Sequence, residues 1–216
     1  MLTQAIEDYL KVIYKLEQSG GTVTTSAIAD RMGVALASVS NMVKKLARLK
    51  LVEHTPYRQI HLTPGGRKVA LEVVRHHRLL ELYLSRMLGV SLDRVDEEAE
   101  RLEHVLSEEL EERIAQSLGE PTRDPHGDPI PARDGTVELL QHPVLADLPA
   151  GSRGTIVRVS DADPSILRDL AEGGMLPGEE FEILASTTRG GVRVRSGGTD
   201  RTLSSDHARA VFVTTE

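Results

Sequence analysis

Residues 100–104 read Glu-Arg-Leu-Glu-His, and residues 77–81 read His-Arg-Leu-Leu-Glu. Both groupings set carboxylate and imidazole donors one helical turn apart, a spacing from which they can converge on a divalent cation. The first lies in the segment 95–114, where nine of twenty residues are Asp or Glu. On a helix each residue turns by roughly 100°. Val95, Ala99, Leu102 and Leu106 then form one apolar stripe, with Asp96, Glu100, Glu103 and His104 beside it. Glu97, Glu98, Glu108 and Glu111 turn to water. Carboxylates gathered at the edge of a core cost energy unless a cation compensates them. A solvated helix edge also accounts for Glu103 and His104. A helix-face ion pair accounts for His77 and Glu81 on the polar edge of the preceding helix.

Other chemistry is excluded more firmly. The chain has no Cys, which removes disulfides, thiol catalysis and thiolate metal ligands. It holds no P-loop, no HExxH and no nucleophile elbow, so an enzyme is not expected. No stretch approaches the roughly 20 apolar residues of a membrane span. The start, MLTQAIEDYL, lacks a basic region followed by an apolar run, so the expected location is cytoplasmic. With two Phe and no Trp the cores must be aliphatic.

Charge divides the chain. Residues 1–70 carry 10 Lys or Arg against 5 Asp or Glu, a net of +5. Residues 71–140 carry 8 against 17, a net of −9, and residues 141–216 carry 8 against 11, a net of −3. A basic head on an acidic middle implies that only the head meets a polyanion.

The elements that must position these groups follow from periodicity. Helices are expected over 3–18, 26–32 and 36–50, then two short β-prone segments, LVEH and QIHL, joined by Thr55-Pro56-Tyr57-Arg58. Thr63 as N-cap and Pro64 in the first turn start a helix running to Leu88, where Gly89 stops it. One further helix is expected from about Leu92 to Leu118. Residues 119–135, rich in Pro, Gly and Asp, form a connector. The tail changes period: GTIVRV, EFEILAS, GVRVRS and AVFVTT read as strands, and SILRDLAEGGMLPGEE as a short helix with a turn, the parts of a small β-barrel. The expected fold is mainly α with a small β domain.

The order helix, turn, helix, hairpin in the basic head is that of a winged helix-turn-helix. Ala37, Ser38, Ser40 and Asn41 lie in the first turns of its third helix, the part that reaches base edges in the major groove. Lys44, Lys45 and Arg48 can neutralise phosphates, and Arg58 sits at the wing tip. The expected partner is double-stranded DNA.

Taken together, EDYLKVIYKLEQSG, the stretch SAIADRMGVALASVSNMVKKLARLKLVEHTPYRQIHLTPGGRKVA, RHHRLLELYL, VDEEAERLEHVLSEELEERI and DPHGDPIP resemble the diphtheria toxin repressor and manganese transport regulator family of bacterial metalloregulators. The tail, through GGMLPGEEFEIL, is similar to the SH3-like domain of iron-transport accessory proteins. The resemblance implies a winged helix-turn-helix domain over 1–70, a helical dimerisation and metal-binding domain over 71–140, and an SH3-like β-barrel over 141–216. It implies a primary metal site of Asp8, Glu100, Glu103 and His104. It implies an ancillary site of His77, Glu81 and Asp96, with Asp161 and Asp163 as further donors. The iron-responsive branch has Met at the place of Asp8 and Cys at that of Glu100. Hard carboxylates in their stead suit Mn(II), with Fe(II) as runner-up. Lys11 replaces a first-helix carboxylate of the manganese branch, and either pairs with Asp8 or points away. Leu80, Tyr83, Leu84, Met87 and Leu88 are candidates for a homodimer interface or for ordinary core. The implied function is repression of manganese uptake at a palindromic operator. A metal-transport accessory or storage protein without specific DNA binding is the rival reading.

Overall fold

The computed structural model describes residues 2–54, 59–138, 141–187 and 190–215. The chain packs as two compact units. The first comprises Met1–His76, Glu103–Leu106 and Pro131–Thr136, and the second His77–Leu102, Ser107–Ile130 and Val137–Glu216.

In the first unit, α1 (Gln4–Gln18), α2 (Thr25–Met32) and α3 (Leu36–Arg48) precede an antiparallel hairpin of β1 (Val52–His54) and β2 (Ile60–Leu62). Apolar residues at helical spacing make the core: Ile6, Leu10 and Ile13 from α1, Ile28 from α2, and Val39, Val43 and Leu46 from α3 are all buried. The Thr24 hydroxyl caps α2 by accepting from Ala27 N at 3.1 Å. Glu17 ties three elements together, accepting from Leu62 N at 3.1 Å and from the Arg67 guanidinium at 2.6 Å. Thr63 Oγ1 accepts from Gly66 N at 3.1 Å and so caps α4 (Pro64–Leu88), as the Thr-Pro pair predicts.

In the second unit the continuous helix expected from Leu92 is broken. It is α5 (Leu92–Leu102) and α6 (Glu108–Ser117), separated by a turn. Ser107 restarts the helix by capping Leu110 N at 3.3 Å. The apolar stripe therefore stops early: Val95 and Ala99 are fully buried, while Leu102 is exposed. Glu111, expected in water, is buried on α6. Glu97 and Glu98 do face solvent and pair with Arg101.

The tail is a five-stranded antiparallel sheet in the order β6-β5-β4-β3-β7, made of β3 (Arg153–Val159), β4 (Glu180–Ser186), β5 (Val192–Ser196), β6 (Thr199–Leu203) and β7 (Val211–Thr215). With α7 (Pro164–Glu172) and α8 (Ser205–Arg209) it encloses an aliphatic core including Ile156, Leu170, Met175, Ile183 and Val213. The sequence reading missed β6 and α8. The signal for β6 was present: Gly197 and Gly198 carry φ of 55° and 76°, the two left-handed residues of a two-residue hairpin.

The connector is docked on β3. Val159 N donates to His126 O at 2.9 Å. Gly127, at φ 92°, lies so close to the strand that a Cβ there would stand 2.1 Å from Val157 O. Arg158 stacks over the Phe212 ring at 3.5 Å and lies 3.6 Å from Asp128.

Candidate metal centres

The first cluster lies within the first unit. Glu7, in the first turn of α1, and Asp8, next to it, project from that helix, and Glu103 and His104 occupy the turn after α5 rather than the helix itself. Leaving the helix frees His104 to turn toward α1. Its Nδ1 lies 2.7 Å from Glu7 Oε2, and its Nε2 lies 2.7 Å from Asp8 Oδ1 and 3.3 Å from Glu103 Oε1. The turn is held from α4 by His76, whose Nδ1 is 3.2 Å from the Glu103 carbonyl oxygen.

The imidazole is therefore held between carboxylates, Glu7 at Nδ1 and Asp8 and Glu103 at Nε2. With the proton on Nδ1, toward Glu7, the Nε2 lone pair faces Asp8 and Glu103, the tautomer a histidine ligand needs. His104 Nε2 is buried and makes no hydrogen bond. It and two carboxylate oxygens stand about as far apart as neighbouring ligands on one ion with ~2.1 Å bonds. The residues present fit a divalent cation, and all are hard or borderline donors. Lys11 does not turn away: its Nζ lies 2.5 Å from Glu103 Oε1, with both side chains buried.

The second cluster lies within the second unit. His77 and Glu81 of α4 are buried, not on a polar edge, because nearly every face of that helix segment is covered. His77 Nε2 is 3.1 Å from Asp96 Oδ1 and 3.5 Å from Glu81 Oε1, and its Nδ1 is 3.8 Å from Glu100 Oε2. The expected trio of His77, Glu81 and Asp96 is thus brought together. Glu100 on α5 thus also approaches His77; its expected role beside Glu103 is what the family resemblance implies.

Glu81 also faces a second set that the sequence reading missed. His126 Nδ1 lies 3.6 Å from Glu81 Oε1, and Asp124 joins them, all three buried. Among the described residues, Glu81 Oε1 has no hydrogen-bond partner. Burial, then the charges of Glu81 and Asp128, push the Asp124 carboxyl up to about 7, against the pull of Arg78 and His126. Burial lowers the His126 pKa, but Glu81, Asp124 and Asp161 more than offset it, and the net direction is up. Three acids around one imidazole with no hydrogen bond to Glu81 Oε1 is an arrangement a cation would relieve. The available signal was the Asp-Pro-His spacing inside the connector, where Gly127 and the Asp124 carboxylate, accepting from His126 N and Asp128 N at 2.9 Å each, fix the loop.

Of the two remaining donors, Asp161 is near enough to His126 to raise its pKa. Asp163 is the N-cap of α7, accepting from Ser165 N at 2.8 Å and Ile166 N at 3.4 Å, which lowers its pKa. Capping accounts for its position.

On α3, Ala37, Ser38, Asn41, Lys44, Lys45 and Arg48 form an exposed face, and Ser40 is half-buried. Arg58 lies outside the described residues.

Three family models match in sequence order. Residues 1–60 match the iron dependent repressor N-terminal DNA-binding domain. Residues 63–132 match the iron dependent repressor metal-binding and dimerisation domain, and residues 144–215 match the FeoA domain. The chain is 34% identical to the diphtheria toxin repressor of Corynebacterium glutamicum, over 98% of this chain and 96% of that one. The chain belongs to the diphtheria toxin repressor family. As a member it is a metal-dependent, DNA-binding transcriptional repressor and not an enzyme. It is also 34% identical to the iron-dependent repressor IdeR of Mycobacterium tuberculosis, over 98% of this chain and 97% of that one. A solved manganese-dependent transcriptional repressor in complex with manganese superposes with a TM-score of 0.90 at 40% identity, over 98% of this chain and 100% of that one. No helix among the described residues is long and apolar enough to cross a membrane.

Proposed function

We propose that this repressor is activated by Mn(II) and shuts off manganese uptake, working in the cytoplasm as a homodimer on a palindromic operator. The observation that carries the metal is the donor set around His104 Nε2: Asp8 and Glu103 supply oxygen, no cysteine is available, and Asp8 stands where the iron-responsive branch has Met. Hard donors favour an ion low in the Irving–Williams order, because the site offers softer metals no extra reward. The resemblance to a manganese-bound repressor supports the same choice.

Asp8, Glu103 and His104 would hold the ion, and the family resemblance implies Glu100 as fourth donor. A bound divalent cation supplies the positive charge that lets these buried acids share one site. Glu7 keeps the His104 lone pair turned inward, and His76 holds the turn that carries Glu103. The three proposed domains, 1–70, 71–140 and 141–216, divide the work into operator reading, dimerisation with metal sensing, and an SH3-like module. His77, Glu81 and Asp96 would form a second metal position, and Glu81, Asp124 and His126, with Asp161 nearby, an alternative one that shares Glu81. Met87 and Leu88, 56% and 62% exposed, would be covered in the dimer, whereas Leu80 and Leu84 are already buried within the chain.

A dimer must set its recognition helices at the spacing of the operator half-sites. If the metal-bound form fits that spacing better, DNA tightens metal binding by the same factor. The test is affinity selection of fragmented host DNA at one fixed salt concentration, with Mn(II), Fe(II) or chelator. Enrichment of a few palindromic promoter fragments with Mn(II) alone is expected. Enrichment with Fe(II) alone would reassign the metal, and equal enrichment in chelator would remove metal control.

A further inference from the structure

The first cluster contains a cation of its own. Lys11 stands one turn after Asp8 on α1, and its side chain is only 4% exposed. Its Nζ lies 2.5 Å from Glu103 Oε1, and the Glu103 side chain is fully buried. The same oxygen is 3.3 Å from His104 Nε2, which in turn is 2.7 Å from Asp8 Oδ1. Lys11 therefore holds the Glu103 oxygen that faces the other donors, not the back of the carboxylate.

A carboxylate this deeply buried requires a positive neighbour, and removing one partner of such a pair is costly. A lysine ammonium is a compact point charge on a flexible stem, able to withdraw without dismantling the helix that carries it. A divalent ion entering between Asp8, Glu103 and His104 meets that ammonium at one of its intended ligands. Like charges at this range repel strongly in a site with little water to screen them.

We infer that Lys11 is a built-in competitor for the metal: it neutralises Glu103 in the metal-free protein and sets how much metal is needed to take Glu103 over. This rests on the assignment of Asp8, Glu103 and His104 as a metal site. Lys11 then acts as a threshold residue. It weakens metal affinity while keeping the empty site folded, so that the repressor answers to plentiful rather than trace metal. Two substitutions separate charge from shape. Lys11→Met keeps most of the stem and removes the charge; Lys11→Gln removes the charge and keeps a hydrogen-bond donor for Glu103.

The experiment is Mn(II) titration of the full-length protein, reading free Mn(II) by its electron paramagnetic resonance signal, with melting curves in chelator and in Mn(II). Glu103→Gln identifies the portion of uptake that belongs to this site. The expected result is at least a tenfold tighter Glu103-dependent dissociation constant in both Lys11 variants. Lys11→Met should also melt lower than wild type in chelator and show a larger rise on adding Mn(II). Unchanged or weaker Mn(II) binding in both variants, beside normal Glu103-dependent uptake by the wild type, would overturn the role of Lys11 alone. Wild-type protein with no Glu103-dependent uptake would overturn the site assignment and, with it, this inference.

Discussion

The two donor clusters answer the same electrostatic problem in different ways. Around His104, a lysine from α1 sits directly on the buried Glu103. Around Glu81, the cationic neighbours pair with other acids, Arg78 3.5 Å from Asp124 and 3.4 Å from Asp128 and Arg158 3.6 Å from Asp128, while Glu81 itself faces the imidazoles of His77 and His126. In the first cluster the most deeply buried acid, Glu103, is charge-compensated within the chain. The second keeps an acid excess, and Asp124 responds by holding its proton up to about pH 7. A compensated site stays folded when empty and resists metal; an uncompensated one is strained when empty and gains more from a cation. Two sites in one small regulator can thereby differ in affinity although their donor atoms are alike.

The largest expected effect is from Glu103→Gln. It should weaken Mn(II) binding at the first cluster by about a hundredfold or more and abolish Mn(II)-dependent operator binding, read by mobility shift at fixed salt. It also removes the buried charge that Lys11 pairs with, a loss of ~3 kcal/mol that denaturant melts of the metal-free protein should show. Retained metal-dependent DNA binding would mean that the first cluster is not the switch.

Glu81→Gln is the matching cut in the second cluster. Its carboxylate serves both His77 and His126, so metal uptake there should fall by roughly tenfold or more while the Glu103-dependent part is unchanged. A metal-free protein that is more stable than wild type would sharpen the contrast, because an excess charge has been removed. A metal-free protein that is less stable would break it.

Glu7→Gln is subtler. Its amide can still meet His104 Nδ1 but no longer favours the proton there as a carboxylate does. Mn(II) affinity at the first cluster should drop by about tenfold, with little change in the metal-free melting temperature. An unaltered titration would show that the tautomer is fixed by something else.

The smallest effect tests an exposed ion pair against the buried ones. Arg168 binds Asp93 Oδ2 through two nitrogens at 2.9 and 2.7 Å, linking α7 to α5. Hydrogen bonds from Ser91 and Arg168 hold the Asp93 carboxyl below its usual range. A depressed acid contributes stability above its unfolded pKa and loses it as pH falls through the folded value. Asp93→Asn should therefore melt slightly below wild type at neutral pH, with the gap closing in acid and shrinking in high salt. A gap that persists at low pH would point to packing rather than charge.

The legibility of these features in the sequence follows their range. The three helices and hairpin of the basic head are local patterns, and Ile6, Leu10 and Ile13 or Val39, Val43 and Leu46 announce their buried faces by spacing. The break between α5 and α6 was hidden because residues 103–107 continue the amphipathic pattern; the turn is set by Ser107 and by contacts of Glu103 and His104 with distant residues. Glu7 was passed over because it precedes the better-placed Asp8, and its role exists only through a histidine 97 positions away. Asp124 and His126 sit in a connector whose composition signals a loop, and nothing local marks that loop as docked. Glu111 reads as a surface acid yet is buried, a burial that periodicity across the broken helix could not assign.

Both clusters are built from carboxylate and imidazole in a chain with no cysteine. A thiolate ligand is also a target: peroxide converts it to sulfenic acid and onward to forms that no longer bind metal. Here there is no thiolate to lose. A cell under oxidative stress would leave these donors chemically intact, and the repressor would go on reporting how much metal is present rather than how oxidising its surroundings have become.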